Sequence, residues 1–193
     1  MKFQSETSYV GPIALVLDVL GSEELLRKRE ADAGAEGMVN YSGTSRDHIF
    51  QVQVPNSELP SAVRSFLPNG LTAVLTGTAK ELTEAGQVQG ASLVYDIAVQ
   101  GAPASGSLTF ILADGGATTP AKILGDISVN IPFVGGRLEK AAVKEVEGLL
   151  AHDTELVNEE VARVRAEQGV DGEEPGDEND PSGEAPGSDA TEY

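Results

Sequence analysis

Side chains that commonly carry out chemistry are scarce in this sequence. The two histidines, His48 and His152, each have an aspartate beside them in the chain (Asp47 and Asp153), and cysteine is absent. The lack of cysteine excludes a disulfide scaffold, thiolate metal sites, iron–sulfur clusters and cysteine nucleophiles. A metal site needs several ligands at set spacings, and neither histidine has a second one at such a spacing. We therefore expect no metal and no cofactor.

Patterns for acid–base or nucleophilic catalysis are equally weak. His48 adjoins a predicted hairpin turn and is expected to be solvated, whereas His152 is expected on the flank of a helix. Both are interpreted as structural or surface residues, since a general base needs burial or a partner to tune its pKa. The serines show no nucleophile-elbow pattern. Gly135-Gly136 lacks the Gly-Lys-Ser/Thr pattern of a phosphate loop and is interpreted as a tight strand-to-helix turn.

Asp153 is the most unusual of these residues because it continues an apolar helical row. The row consists of Leu138, Ala142, Val146 and Leu149. A carboxylate on a buried stripe is costly unless it is paired or lines a wet cavity. Two alternatives remain open, a polar anchor inside a ligand cavity or a flank position that reaches solvent. On the first, Asp153→Leu should weaken ligand retention without unfolding the chain.

The elements that must position these residues follow from apolar periodicity. Alternation predicts seven strands, at 2–10, 38–45, 48–55, 71–82, 88–100, 105–113 and 121–132. Helices are predicted at 12–20, from Ser22 onward, and at 136–168, the last with an apolar stripe along one side. The basic residues Arg27, Lys28 and Arg29, near the end of the second helix, suit the helix dipole. Because each of the last three strands has one apolar face, we expect an antiparallel sheet covered on a single side.

The negative charge is concentrated at the C-terminal end. Of 31 acidic residues, nine lie in 169–193, which has no Lys or Arg, so the net charge of −18 falls to −9 for 1–168. Such a segment buries too little apolar surface to offset backbone ordering. We predict one folded domain, 1–168, and a disordered acidic tail, 169–193, whose default role is solubility.

The composition also limits the class of partner. An acidic chain with 5% aromatic residues and no Trp disfavours nucleic acid, whose binding relies on Lys and Arg. No apolar run is long enough for a signal peptide or a membrane helix. We therefore expect a cytoplasmic protein without stable membrane insertion, while the sequence leaves any protein partner unknown.

The order of strand, two helices, six strands and long helix resembles the START-like helix-grip superfamily of polyketide cyclases and lipid-transfer domains. Within it, the sequence is most similar to an uncharacterised bacterial branch typical of actinobacteria, over about residues 1–165. The motifs are Met1-Lys2-Phe3, Asp18, Gly101-Ala102-Pro103, the segment GDISVNIPFVGGRLEK at 125–140, Glu155 and Asn158-Glu159. This chain departs from the pattern at Gly77 and Ala79, where relatives carry Glu and Trp, and at Glu160-Val161, where relatives carry Trp-Leu.

The resemblance implies an α+β fold, in which a curved seven-stranded antiparallel sheet wraps around the C-terminal helix and two short helices follow the first strand. It also implies a mostly apolar cavity between sheet and helix. The candidate cavity residues are Tyr95, Ile97, Phe110, Leu112, Ile127, Val129, Ala142, Val146, Leu149 and Asp153.

Three functions remain open on this basis. The first is binding or carriage of an apolar small molecule, such as a lipid, a polyketide-like or an isoprenoid compound, in that cavity. The second is a cyclase- or dehydratase-type enzyme using the same cavity, against which stands the lack of a convincing acid–base pair. The third is a protein that acts through its surface or its acidic tail. Binding is favoured over catalysis.

Overall fold

A computed structural model describes residues 1–32, 37–58, 64–65, 67–133 and 135–169. The predicted acidic tail, 169–193, lies outside these residues except for Gly169, so both the tail and the domain boundary stay predictions. Among the described residues, no helix is long and apolar enough to cross a membrane.

The chain folds into seven strands and three α-helices within the described ranges. The strands are β1 (Lys2–Val10), β2 (Val39–Gly43), β3 (Asp47–Val54), β4 (Leu71–Glu84), β5 (Gln87–Gln100), β6 (Ala104–Ala113) and β7 (Thr118–Val129). The helices are α1 (Ile13–Leu20), α2 (Glu23–Asp32) and α3 (Gly135–Glu167), with a short 3-10 turn at Asn56–Glu58. The predicted cap of α2 is present, since the Ser22 hydroxyl accepts the Leu25 N–H at 3.1 Å.

All seven strands form one antiparallel sheet in the order β1-β7-β6-β5-β4-β3-β2. The first strand closes against the last, so β1 lies at one edge and the β2–β3 hairpin at the other. The predicted fold class, a curved seven-stranded sheet around a long C-terminal helix, is confirmed.

The last strand lies three residues earlier than predicted at both ends. Thr118 to Pro120 join it because they pair with Val10 to Ser8 of β1. The strand ends at Val129 because Asn130 leaves the β6 ladder and donates its N–H to the Pro103 carbonyl, at 2.8 Å. Pro132, two residues further on, has no N–H with which to continue the ladder.

The C-terminal half of α3 packs against the rest of the structure and makes polar contacts with β1 and α2. Val157 and Val161 are fully buried. On β1, the Val10 N–H donates to the Asn158 side-chain oxygen at 2.8 Å. The buried Glu160 carboxylate meets the Lys28 ammonium at 2.8 Å and so joins α3 to α2. Because these contacts hold the C-terminal half of α3 against β1 and α2, the free space between the helix and the sheet lies under the preceding turns of α3.

Candidate functional site

An apolar cavity of about 510 Å³ separates α2 and α3 from strands β3 to β6. Its lining is Leu26, Arg29 and Asp32 of α2, Phe50, Leu75, Tyr95, Leu108 and Phe110 of the sheet, and Val146, Leu149, Leu150, His152, Asp153 and Leu156 of α3. The volume falls in the range of about 300–1,000 Å³ that small-molecule pockets occupy. The cavity can therefore hold a small organic molecule.

Strand register explains the apolar wall of this cavity. Phe50 pairs with Leu75 across β3 and β4, and Tyr95 pairs with Leu108 across β5 and β6. Paired residues point to the same side of a sheet, so side chains from four strands meet on the concave face. Phe110 adds a ring that packs edge-on against Tyr95, with centroids 6.2 Å apart.

A charged pair interrupts the apolar lining where α2 faces α3. The Arg29 guanidinium donates to both carboxylate oxygens of Asp153, from Nε at 2.6 Å and from Nη2 at 2.8 Å. The two side chains are 24% and 15% exposed, so the pair lies in the cavity wall and Asp153 does not extend into solvent. Burial opposes the positive charge, yet Asp153 outweighs it and the pKa of Arg29 rises. The site therefore holds two opposite charges that cancel.

Two tyrosines close to this pair stay protonated. Burial, aided by the negative charge of Asp153, raises the pKa of Tyr9. Burial likewise raises the pKa of Tyr95 to about 12. Because of this raised pKa, the Tyr95 hydroxyl is neutral at physiological pH. Tyr95 also lines the cavity.

The expectation that His48 is solvated is wrong. Its imidazole is 3% exposed, lies flat against Phe50 with ring centroids 5.7 Å apart, and contacts Tyr95. Nδ1 lies 3.1 Å from the Thr44 carbonyl, an acceptor, so in the neutral ring Nδ1 carries the proton. Nε2 is then an acceptor 3.2 Å from the Tyr95 hydroxyl, whose single proton has a second acceptor, the Leu20 carbonyl, at 3.3 Å.

Gly77 makes this contact possible. His48, Gly77 and Tyr95 are paired across β3, β4 and β5, so the histidine and the tyrosine lie two strands apart. A Cβ atom on Gly77 would lie 2.3 Å from His48 Nε2 and 2.7 Å from Tyr95 Cε1. The absence of a side chain in the middle strand therefore lets the outer two meet.

Burial of His48 makes stability depend on pH. Desolvation lowers the pKa of His48, although the Thr44 carbonyl partly opposes it. Below about pH 6.5 the unfolded chain therefore binds more protons at this residue than the folded chain. We expect the free energy of unfolding to fall as pH drops from about 6.5 toward the lower folded-state pKa. The loss should be smaller in His48→Gln, measured as urea midpoints at pH 7.5 and 5.5.

The matched control for this prediction is His152→Gln. His152 Nε2 lies 3.0 Å from the Asp32 carboxylate, which raises the pKa of His152. The contribution of His152 to the free energy of unfolding therefore has the opposite sign to that of His48. It is present at low pH and is lost as the pH rises through the raised pKa of His152. An unchanged dependence on pH in His48→Gln would contradict the assignment to His48.

The mouth of the cavity lies beside the Asp32–His152 pair. Both side chains are exposed, and His152 is on the flank of α3, where it was expected. Leu149 also lines the cavity and is 63% exposed, which places an apolar edge at the entrance. A ligand would therefore enter past one apolar and two polar side chains.

Half of the predicted cavity residues line this space. Tyr95, Phe110, Val146, Leu149 and Asp153 do so. The structure places Ile97, Leu112, Ile127, Val129 and Ala142 outside the lining.

The reason for the difference is position along the elements. Leu112 is buried in the core, and Val129 lies against the first turn of α3, where its N–H donates to the Glu139 carboxylate at 2.9 Å. Periodicity predicts which face a residue is on, and the path of the covering helix decides how much of that face is free.

Two polar residues were missed from sequence, Arg29 in the cavity lining and His48 behind Tyr95. Arg29 was interpreted only as a cation suited to a helix end, and His48 as a turn residue. The available signals were the spacing of Arg29 and Leu26 on one side of α2 and the register of His48 opposite Gly77. Among the described residues, no group of three His, Asp or Glu side chains is arranged to hold a metal ion.

Comparison with known proteins identifies the family of this chain. A family model described as "Protein of unknown function (DUF2505)" matches residues 4–160. None of the curated proteins compared with the chain matches it significantly.

Several solved structures share the fold at low sequence identity. A norcoclaurine synthase point mutant from Thalictrum flavum, in complex with a transition-state analogue, is 14% identical at a TM-score of 0.54, covering 86% of this chain and 96% of that one. The Zhui aromatase/cyclase from Streptomyces sp. R1128 is 13% identical at 0.53, covering 86% and 95%. A conserved protein from Geobacillus kaustophilus is 11% identical at 0.52, covering 84% and 96%. At these identities the likeness concerns the fold alone.

Proposed function

The chain belongs to the DUF2505 family of unknown function, and we propose that it binds one apolar small molecule in the cavity between its sheet and α3. The observation that carries this proposal is the cavity itself, about 510 Å³ in volume and lined mainly by Leu, Phe and Val side chains. Lipid, polyketide-like and isoprenoid compounds are the classes of ligand that such a lining suits. The finer expectations, an actinobacterial type of family, a cytoplasmic location and an acidic tail, stay predictions.

The physical case for binding is that apolar surface facing such a space favours an apolar guest. Removing apolar surface from water contributes about 25 cal/mol per Å². Rings of Phe50, Tyr95 and Phe110 form one wall, and aliphatic side chains of α3 form the other. One solved structure of this fold, the norcoclaurine synthase mutant, is in complex with a transition-state analogue, and another is named as an aromatase/cyclase.

A second candidate, an enzyme of cyclase or dehydratase type, draws support from the His48–Tyr95 hydrogen bond. This bond joins a buried imidazole to a phenol that lines the cavity, so a proton could pass between them. Binding is favoured because the pKa of Tyr95 is raised and that of His48 is lowered, which makes proton transfer from Tyr95 to His48 unfavourable. Arg29 and Asp153 are fixed as a pair and do not act as an acid and a base.

The experiment that tests binding is native mass spectrometry of the purified full chain. The chain is measured as purified and after addition of N-phenyl-1-naphthylamine, a neutral apolar probe. We expect one bound molecule per chain, either a copurified compound, to be extracted and identified, or the probe. A chain that carries no copurified compound and takes up no probe would contradict the proposal.

A further inference from the structure

We propose that the ligand carries one uncharged hydroxyl group, which binds at the Arg29–Asp153 pair while its apolar part fills the rest of the cavity. This inference rests on the proposed function and specifies the chemistry of the ligand. It follows from an unusual combination, since a fully apolar guest would require no polar group in the lining, whereas this cavity has an ion pair in its wall.

The geometry of the pair leaves hydrogen-bonding capacity for a ligand. Asp153 accepts two bonds, both from Arg29, and within the described part of the chain no other residue donates to it. A carboxylate offers about four lone-pair sites, so it can accept another donor. A hydroxyl group both donates and accepts. It can therefore donate to Asp153 while its oxygen accepts from an Arg29 N–H that Asp153 does not use.

The charges around the pair disfavour an anionic group. Arg29 and Asp153 cancel, and the next charged group along the cavity wall is Asp32, exposed at the mouth. A ligand carboxylate would lose its hydration and face Asp153 and Asp32 without an unpaired cation to bind. His152 does not supply one, since it is already paired with Asp32.

The neighbouring phenol is suited to the same neutral group. Tyr95 lines the cavity and stays protonated because its pKa is raised to about 12. Its single O–H is directed within the fold, toward His48 Nε2 at 3.2 Å or the Leu20 carbonyl at 3.3 Å, so toward a ligand it offers only a neutral oxygen. A neutral hydroxyl of the ligand adds no charge to a largely apolar space. The apolar part of the ligand then extends along the rings of Phe50 and Phe110.

The test compares three probes of matched chain length in displacing N-phenyl-1-naphthylamine from the full chain at neutral pH. The probes are 1-decanol, decyl methyl ether, which lacks the donor, and decanoate, which is ionised. We expect 1-decanol to bind at least tenfold more tightly than either of the others, because a site built to bind a hydroxyl rejects analogues that lack it.

Two variants separate the role of the pair from that of the cavity. In Arg29→Met/Asp153→Leu, the preference for decanol over the ether should disappear while both still bind. In Asp153→Asn, Arg29 is left as an unpaired cation, and decanoate should gain at least tenfold relative to decanol. The double variant keeps the question answerable if Asp153→Asn fails to fold, as judged by circular dichroism.

The outcomes distinguish this inference from the proposed function. Equal affinity for decanol and the ether in the wild-type chain, or the same preference in the wild-type chain and the double variant, would overturn the hydroxyl site and leave apolar binding intact. A folded Asp153→Asn that gains no affinity for decanoate would also overturn it. If neither the fluorescent probe nor any of the three compounds binds, the proposed function falls, and this inference with it.

Discussion

Replacement of Asp153 by leucine is expected to lower the free energy of unfolding by about 2–3 kcal/mol. The substitution leaves the Arg29 guanidinium in the cavity wall without the carboxylate that accepts from its Nε and Nη2 atoms. Loss of one partner of a buried pair typically costs about 3–5 kcal/mol, and partial exposure of both side chains reduces this. The sequence predicts that this variant retains ligand less well without unfolding, and the contact with Arg29 adds an expected loss of stability to that prediction.

The matched control is the double variant Arg29→Met/Asp153→Leu. Since it removes both charges, it leaves no unpaired group and should recover most of the lost stability. Urea unfolding followed by circular dichroism measures both variants against the wild-type chain. If Asp153→Leu is as stable as the wild type, the ion pair makes no structural contribution and this account of the cavity wall is wrong.

Substitution of Gly77 by alanine is expected to have a similar effect, about 2–3 kcal/mol of lost stability, for a steric reason. The new methyl group would lie 2.3 Å from His48 Nε2, so the imidazole must move. Movement of His48 breaks its hydrogen bonds to the Thr44 carbonyl and the Tyr95 hydroxyl. Because Tyr95 lines the cavity, probe affinity should fall as well.

Gly90→Ala provides the matched control, since Gly90 lies in the adjacent strand β5. The nearest atom to a Cβ at that position is the Leu112 carbonyl oxygen at 3.5 Å, an ordinary contact, so stability should change by less than about 0.5 kcal/mol. In a His48→Ala background, Gly77→Ala should cost less than in the wild-type chain, since the contact with His48 is removed and only that with Tyr95 Cε1 remains. An equal cost in both backgrounds would show that the clash with His48 is not the cause.

The helices and strands could be predicted from sequence because their signals are local, whereas the arrangement of a curved sheet around α3 was predicted from the family resemblance. Alternating apolar residues such as Leu93 and Tyr95 indicate the buried face of a strand, and an apolar repeat of three and four indicates α3. The strand ends were less accurate, as β7 shows, because the pairing of Thr118 with Val10 joins residues far apart in the chain.

The candidate site was only partly predictable because its polar contacts cross the fold. Asp153 stands out as a carboxylate on an apolar stripe, but its partner Arg29 lies 124 residues away in the chain. Likewise, nothing adjacent to His48 indicates burial, since its environment comes from a glycine and a tyrosine on the next two strands. The available signal was Gly77 itself, a residue without a side chain inside a predicted strand, which is typical of a close approach between neighbouring groups.

The central claim is that one apolar molecule occupies the cavity, and a pair of tryptophan variants tests it most directly. Val146 lines the cavity on α3, whereas Ala141 is exposed on the same helix and does not. The chain has no tryptophan of its own, so indole fluorescence also reports whether the new side chain is buried. The measurement is native mass spectrometry of Val146→Trp, Ala141→Trp and the wild-type chain with N-phenyl-1-naphthylamine.

We predict that Val146→Trp shows a buried indole and loses the bound mass, while Ala141→Trp retains one bound molecule, as the wild-type chain does. Equal uptake by Val146→Trp and Ala141→Trp, with both variants folded, would contradict the claim that the ligand occupies this cavity.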